Sequence, residues 1–243
     1  MMKPFVKMPS RWIMYPGTQG GLKSFSWQGK NRSRNIAALM LYIAILHNAN
    51  ENPTPLHAAG TARISYSELQ KITGLSRTMI AAGLRKLEEQ EIILANKENK
   101  TSVYQLVDNY FTDSWAKLPF KSLYTGGNGI GFFYDLNLRK KVELDALKLY
   151  LLIAAFRNNQ LNHMSMAYPK IADYTGIQKN HVKSAVSFLV VNQLIQVDQL
   201  SNFETRSQDP MNRVNHYRLI GLGSHHFGNM DIDALTPYED IPF

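Results

Sequence analysis

The chain repeats itself, and no other feature limits its possible folds as strongly. A shift of 102 residues lays Tyr66 on Tyr168, Leu69 on Ile171, Ile72 on Tyr174 and Thr73-Gly74-Leu75 on Thr175-Gly176-Ile177. The register continues without a gap, so that Ile80, Leu84, Leu87 and Ile93 meet Val182, Val186, Leu189 and Ile195. The similarity extends outward with small changes of length. Lys7-Met8-Pro9 corresponds to Lys117-Leu118-Pro119, Leu41-Tyr42 to Leu149-Tyr150, and Tyr104-Gln105-Leu106 to Tyr217-Arg218-Leu219. Solenoid repeats are much shorter, roughly 20–50 residues, so this shift predicts a duplicated domain. Two units of ordinary domain size, 1–109 and 110–222, then precede a tail, 223–243.

Residues 65–94 hold the most legible part of the unit. Leu69 and Ile72 fall on one face of a short helix, and Ser65 with Glu68 has the spacing of a capping box. Gly74 ends that helix where a left-handed residue is required. Ser76 caps a second helix, along which Ile80, Leu84 and Leu87 recur at four- and three-residue steps. Followed by Ile92 and Ile93, this pair resembles the helix-turn-helix core of winged-helix proteins. The resemblance implies a mainly α fold with small β wings, α+β in class. It also implies two tandem winged-helix domains from an internal duplication, each with a second helix that enters the DNA major groove.

The remaining elements follow from local pattern. Residues 34–47, apolar nearly all round, predict a central helix; residues 49–63 predict a connecting loop. Residues 96–102 form a polar turn between 92–95 and 103–107, a hairpin wing with Lys97 and Lys100 at its tip. The second copy repeats this with a helix over 143–158 and a longer wing between Val197 and Tyr217 that carries Arg206 and Arg213. Residues 1–32, punctuated by Gly and Pro, predict extended pieces and a hairpin-like loop at 16–21. The glycine-rich stretch 124–131 lacks the Gly-Lys-Ser/Thr of a phosphate-binding loop and reads as the matching turn.

A recognition helix turns its apolar residues inward and offers its first turn and outer face to base edges. In the first copy this leaves Arg77, Thr78, Ala81, Arg85 and Lys86, with Ser76 near phosphate. In the second it leaves Gln178, Lys179, Asn180, His181, Lys183, Ser184 and Ser187. Arg77 has the chemistry to read guanine and Asn180 to read adenine; phosphate contact alone is the other possibility. The run Arg139-Lys140-Lys141 reads as a solvated face or a contact to the DNA backbone.

In residues 1–32 the aromatics Phe5, Trp12, Tyr15, Phe25 and Trp27 interleave with cations that include Lys30 and Arg32. That pattern suits single-stranded nucleic acid, with rings on bases and cations on backbone. It equally suits rings packed against the central helix, and the second copy has a similar set in Trp115, Phe120, Tyr124, Phe132, Phe133 and Tyr134.

Charge supports a polyanionic partner. The 27 Lys and Arg outnumber 19 Asp and Glu, for a net charge of +8. Four of the acids (Asp231, Asp233, Glu239 and Asp240), but no Lys or Arg, lie beyond residue 220. A basic body with an acidic, disordered tail predicts nucleic-acid binding. No apolar run approaches the roughly 20 residues of a membrane span, the first residues lack a signal-peptide core, and there are no cysteines. These point to a cytoplasmic protein without disulfides or a membrane partner.

The last residues, Glu239-Asp240-Ile241-Pro242-Phe243, resemble the C-terminal tip of bacterial single-stranded DNA-binding protein. In that family the tip docks on replication and repair enzymes. The resemblance covers the tail alone. It implies that Phe243 fills an apolar pocket, that Pro242 and Ile241 add shape, and that Asp240 and Glu239 meet a basic rim. Tyr238 interrupts the acidic run, which is thinner than the family's. A tail without a partner, or one folded back on the chain's own basic surface, is the alternative.

Catalysis finds no support. The seven histidines show no metal-binding spacing, and His225-His226 alone is too sparse for a metal site. Neither a cofactor nor a catalytic residue is implied. The expectation is a bacterial DNA-binding protein, single- or double-strand specific, that recruits host replication or repair proteins. Tandem winged helices also resemble plasmid replication initiators, which suggests a role in replication or maintenance of a plasmid, phage or integrative element. A duplex-specific transcriptional repressor and a protein-interaction scaffold are the rivals, and a homo-oligomer is compatible with each.

Overall fold

The computed structural model describes residues 3–29, 32–98, 101–107, 115–124, 129–159, 161–198 and 215–223. The fold is α+β with small antiparallel sheets. Two helices, α2 (Arg32–Asn48) and α5 (Lys141–Phe156), form its centre. Their near-continuous apolar sequence buries every residue from Asn35 to His47 and from Glu143 to Ala155, and the two pack on each other.

After each central helix the same order of elements follows. In the first half it is β2 (Thr61–Arg63), α3 (Tyr66–Thr73), α4 (Arg77–Glu89), β3 (Ile93–Glu98) and β4 (Thr101–Leu106). In the second it is β6 (His163–Ser165), α6 (Tyr168–Thr175), α7 (Lys179–Val191), β7 (Ile195–Asp198) and β8 (His216–Leu219). In each half these strands form a three-stranded sheet with the last in the middle, β2-β4-β3 and β6-β8-β7. Tyr104 pairs with Ala62 and Ala95 in one, and Tyr217 with Met164 and Val197 in the other.

The local devices are those the pattern predicts. The Glu68 N–H donates to Ser65 Oγ at 3.2 Å and the Ser65 N–H to Glu68 Oε2 at 2.8 Å, closing the capping box. Gly74 and Gly176 end α3 and α6 at φ of +71° and +69°. The threonine before each glycine adds a tie that spacing did not reveal. Thr73 donates to the Leu69 carbonyl at 2.6 Å and accepts from the Leu75 N–H, and Thr175 does the same with Ile171 and Ile177. The predicted inward residues Leu69, Ile72, Ile80, Leu84 and Leu87 are all buried.

Other expectations are corrected. The loop 49–63 ends in β2, because Thr61–Arg63 finds the free edge of β4. The wing strands run further into the polar turn, to Glu98 and from Thr101. Residues 16–21 form no hairpin. They contribute to two 3-10 turns, Gly17–Gln19 and Gly21–Ser24, joined by Gly20 at φ +77°. The expected boundary near residue 110 falls among 108–114, outside the described residues.

The largest departure is the partner of β1 (Phe5–Pro9), which pairs antiparallel with β5 (Trp115–Pro119), the corresponding strand of the other half. The buried apolar residues of both halves accordingly form one core. The short helix α1 (Arg11–Met14) packs on α5, and Trp12 Nε1 donates to Tyr42 Oη of α2 at 3.0 Å. His47, at the end of α2, receives the other half's arm. Its Nε2 lies 3.1 Å from the Pro119 carbonyl, which can only accept, so Nε2 carries the proton. Nδ1 then accepts from the Tyr124 hydroxyl at 3.3 Å, and the Phe120 ring meets the imidazole edge-on at 4.7 Å.

Burial lowers the His47 pKa from 6.5 to about 3, against the opposing bond to Pro119. Between those values the unfolded chain binds more protons than the folded one, so stability falls as pH falls from about 6.5 toward 3. The slope is at most about 1.4 kcal/mol per pH unit. His47→Gln, which cannot titrate, is expected to flatten this limb in urea denaturation at a series of pH values. A second prediction concerns Gly83, where α4 crosses α2. A Cβ there would stand 2.6 Å from Leu41 Cδ1 and 3.0 Å from the Ala37 and Ala38 backbone. Gly83→Ala is expected to destabilise by about 1–3 kcal/mol in urea denaturation, the opposite sign to the gain a helical Gly→Ala change ordinarily gives.

Candidate nucleic-acid interface

Helix α4 presents Arg77, Thr78 and Arg85 to solvent on the side away from the core. Ser76 Oγ accepts from the Met79 N–H at 3.3 Å, which fixes the helix start. The Arg77 guanidinium reaches back over α3, with Nε 3.3 Å from Gln70 Oε1 and Nη2 3.3 Å from Ser67 Oγ. Neutral partners orient it without neutralising its charge. Arg85 lines a groove of about 260 Å³ between α4 and the β3–β4 hairpin, together with Tyr66, Ala81, Glu88, Asn96 and Tyr104. Burial raises the Tyr104 pKa to about 12, so the groove wall is neutral there.

Lys86 does not share that face. Its ammonium lies 5.3 Å from the centroid of the Phe25 ring in the N-terminal arm, and burial depresses its pKa. Arg34, beside it, donates from Nε to the Ala82 carbonyl at 3.1 Å and pairs with Glu89 at 2.5 Å. The Lys86 side of α4 is thus a packing surface against the first half's own arm.

Helix α7 exposes Lys179, Asn180, Lys183, Ser184 and Ser187. His181, half-buried, sits with Nδ1 2.7 Å from Lys141 Nζ, which also donates to Asp145 at 2.9 Å. One cation of the run at 139–141 is therefore tied to α7 and α5, while Arg139 and Lys140 stay exposed. The buried Glu143 carboxylate accepts from the backbone of Asn137, Arg139 and Lys140, at 2.9, 3.1 and 3.2 Å, and shapes this stretch.

Lys148 is a buried support of this region that sequence reasoning missed. Its ammonium is buried and donates to the Thr175 carbonyl at 2.8 Å, anchoring the turn that leads into α7. Burial lowers its pKa to about 8, with Asp145 opposing. The available signal was a lysine within the apolar stretch 146–156 of α5.

The aromatic residues mostly serve packing. Phe25, Phe132 and Phe133 are buried. Trp12 stands edge-on to Tyr42 at 5.4 Å between ring centroids. Besides Phe25 with Lys86, three rings carry a cation on one face: Trp27 with Arg32 at 5.6 Å, Trp115 with Lys7 at 4.9 Å and Phe5 with Lys117 at 4.7 Å. Tyr15 and Tyr134 remain 68% and 57% exposed, and the Tyr134 hydroxyl donates to the Lys71 carbonyl. Of the two aromatic sets, Tyr15 and Tyr134 alone are exposed among the described residues.

Neither a scan of protein-family models nor a search of curated proteins finds a match for this chain. Among the described residues no helix is long and apolar enough to cross a membrane. Lys30, Lys100, Arg206 and Arg213 lie outside the described residues, as do the Lys97 side chain and Glu239, Asp240, Ile241, Pro242 and Phe243. The structure thus brings together Arg77, Thr78 and Arg85 on α4, Lys179, Asn180, Lys183 and Ser184 on α7, and Trp27 with Arg32. It turns Lys86 away.

Proposed function

We propose that this chain is a non-catalytic DNA-binding protein of two tandem winged-helix domains, derived by internal duplication, that reads duplex DNA through α4 and α7. The observation that carries the reading is the recurrence of one element order in both halves, each time with exposed cationic and polar side chains on the second helix of the pair. A second helix of that kind is the one that enters the major groove in helix-turn-helix proteins. Net charge of +8, with the acids of the last residues set apart from the basic body, supports a polyanionic partner. The occupied ring faces favour duplex over single-stranded DNA.

The peptide 238–243 adds recruitment of replication or repair enzymes that recognise the single-stranded DNA-binding protein tip. Together these fit replication or maintenance of a bacterial genome or a mobile element, as in the plasmid initiators that tandem winged helices resemble. A duplex-specific transcriptional repressor is the second reading, favoured by the same helices if the tail has no partner.

The test is duplex affinity across a salt series. Arg85→Ala and Arg77→Ala are each expected to lower affinity and to reduce the salt slope by about one counterion. Lys86→Ala is expected to do less, because that ammonium lies over Phe25. Salt-insensitive or absent binding would sink the proposal. For the tail, deletion of Ile241, Pro242 and Phe243 should leave duplex affinity within twofold. It should also abolish binding to a repair enzyme that docks the single-stranded DNA-binding protein tip, measured by fluorescence anisotropy. Retained binding would leave the repressor reading.

A further inference from the structure

Duplication lets each half serve as a reference for the other, and at the C-terminal ends of α4 and α7 the two differ in kind. Residues 88–91 read Glu-Glu-Gln-Glu, and their counterparts 190–193 read Val-Val-Asn-Gln. Glu88 and Glu89 are exposed, and Glu89 pairs with Arg34. The register that lays Leu41-Tyr42 on Leu149-Tyr150 places Val142 at Arg34, so both members of that ion pair become valine in the second half. Val190 and Val191 are nevertheless 42% and 79% exposed, and Phe188, near the same end of α7, is half-buried. One exposed valine is ordinary. Two in succession, where the other copy has carboxylates, form an apolar surface that the described residues leave open.

The chain leaves the second half beside that surface. The Leu194 N–H donates to the Leu189 carbonyl at 2.9 Å, turning the backbone back from the end of α7, and the Ile220 N–H donates to the Leu194 carbonyl at 3.1 Å. Leu222 is buried, with its carbonyl accepting from Asn162 Nδ2, and Gly223 is exposed. Residue 224 therefore starts within a few residues of the end of α7. An extended chain advances about 3.3–3.6 Å per residue, so residues 224–235 can cover roughly 40 Å, more than this short separation requires. That stretch carries Phe227, Met230, Ile232 and Leu235, with Asp231 and Asp233 among them. Its acids favour one half over the other. The three carboxylates of 88–91 would repel it from the end of α4, whereas 190–193 carries no charge.

We infer that residues 227–235 dock on the C-terminal end of α7, where Phe227, Met230, Ile232 and Leu235 cover Val190 and Val191. Docking divides the tail. Residues 236–243 alone then stay free, with an extended length of about 25–30 Å against roughly 65–70 Å for the whole of 224–243. Helix α7 (Lys179–Val191) is about 20 Å long at 1.5 Å per residue, so the anchor lies a helix length from Lys179 and Asn180 at the first turn. Asp231 and Asp233 are held at the far end of α7 from those cations, and an enzyme bound at 239–243 is kept near that end. This last consequence rests on the duplex-binding and recruitment readings above; the docking itself does not.

The test exploits a chain without cysteine. A nitroxide on Thr236→Cys in the full chain is expected to quench the amide signals of residues 190–194 in nuclear magnetic resonance spectra and to spare those of 179–183. Val191→Glu, at a position outside the core, should restore the quenched signals, and so should Phe227→Ser combined with Leu235→Ser. A mixture of isotope-labelled chain without nitroxide and unlabelled chain with it should show no quenching, because the contact lies within one molecule. Quenching centred on the first turn of α7, spread evenly over the surface, or unaltered by Val191→Glu would overturn the inference. Quenching in the mixture would also overturn it and assign the surface to a second copy. Neither DNA nor a repair enzyme enters these readouts, so their failure leaves the proposed function standing, and loss of salt-sensitive duplex affinity leaves the docking intact.

Discussion

The pairing of β1 with β5 is the constraint on which the arrangement depends. Each strand finds its partner in the opposite half, so neither arm can be removed without opening the shared core. Lys117 illustrates the cost and its compensation. The residue is buried, which depresses its pKa, yet its ammonium keeps the face of Phe5 as a partner. His47, at the end of α2, makes the same bargain by staying neutral. Its two ring nitrogens then match one acceptor and one donor from the opposite arm.

Local periodicity made most of the helical framework legible. The apolar steps along α3, α4 and α7, the Ser65–Glu68 box and the glycine that ends α3 are encoded within a few residues of where they act. Pairings between distant segments were not legible. Nothing near Phe5 or Trp115 states that the two strands meet, because a strand's edge is satisfied by any compatible backbone. The loop at 16–21 reads as a hairpin because Gly and Pro announce a change of direction without saying which. Tyr174 aligned with the buried Ile72 but is only half-buried, its ring instead 4.7 Å from Phe156.

Of the candidate interface, the exposed positions on α4 and α7 followed from the helical period, since a residue opposite an apolar stripe faces solvent. Lys86 sits at the margin of that stripe, where period alone cannot separate solvent from a neighbouring arm. Only the position of Phe25 decides it. Lys148 was hidden for the converse reason. A lysine inside an apolar run needs a carbonyl to donate to, and that carbonyl belongs to a turn 27 residues away in sequence. Gly83 was silent as well, because the close approach that demands it comes from α2.

The exchanged arms also bear on how the protein is made. A ribosome adds roughly 5–20 residues each second, and β1 emerges first while its partner strand lies more than a hundred positions later. Until residues 115–135 have been synthesised, the first half lacks the strand beside Val6 and Met8, the cover on Gly74 and the acceptor for His47. Such late, non-local closure slows folding. The nascent first half therefore waits with an open flank. A second nascent chain on the same message offers an equivalent strand, so that competition between closing on itself and closing on a neighbour is built into the order of synthesis.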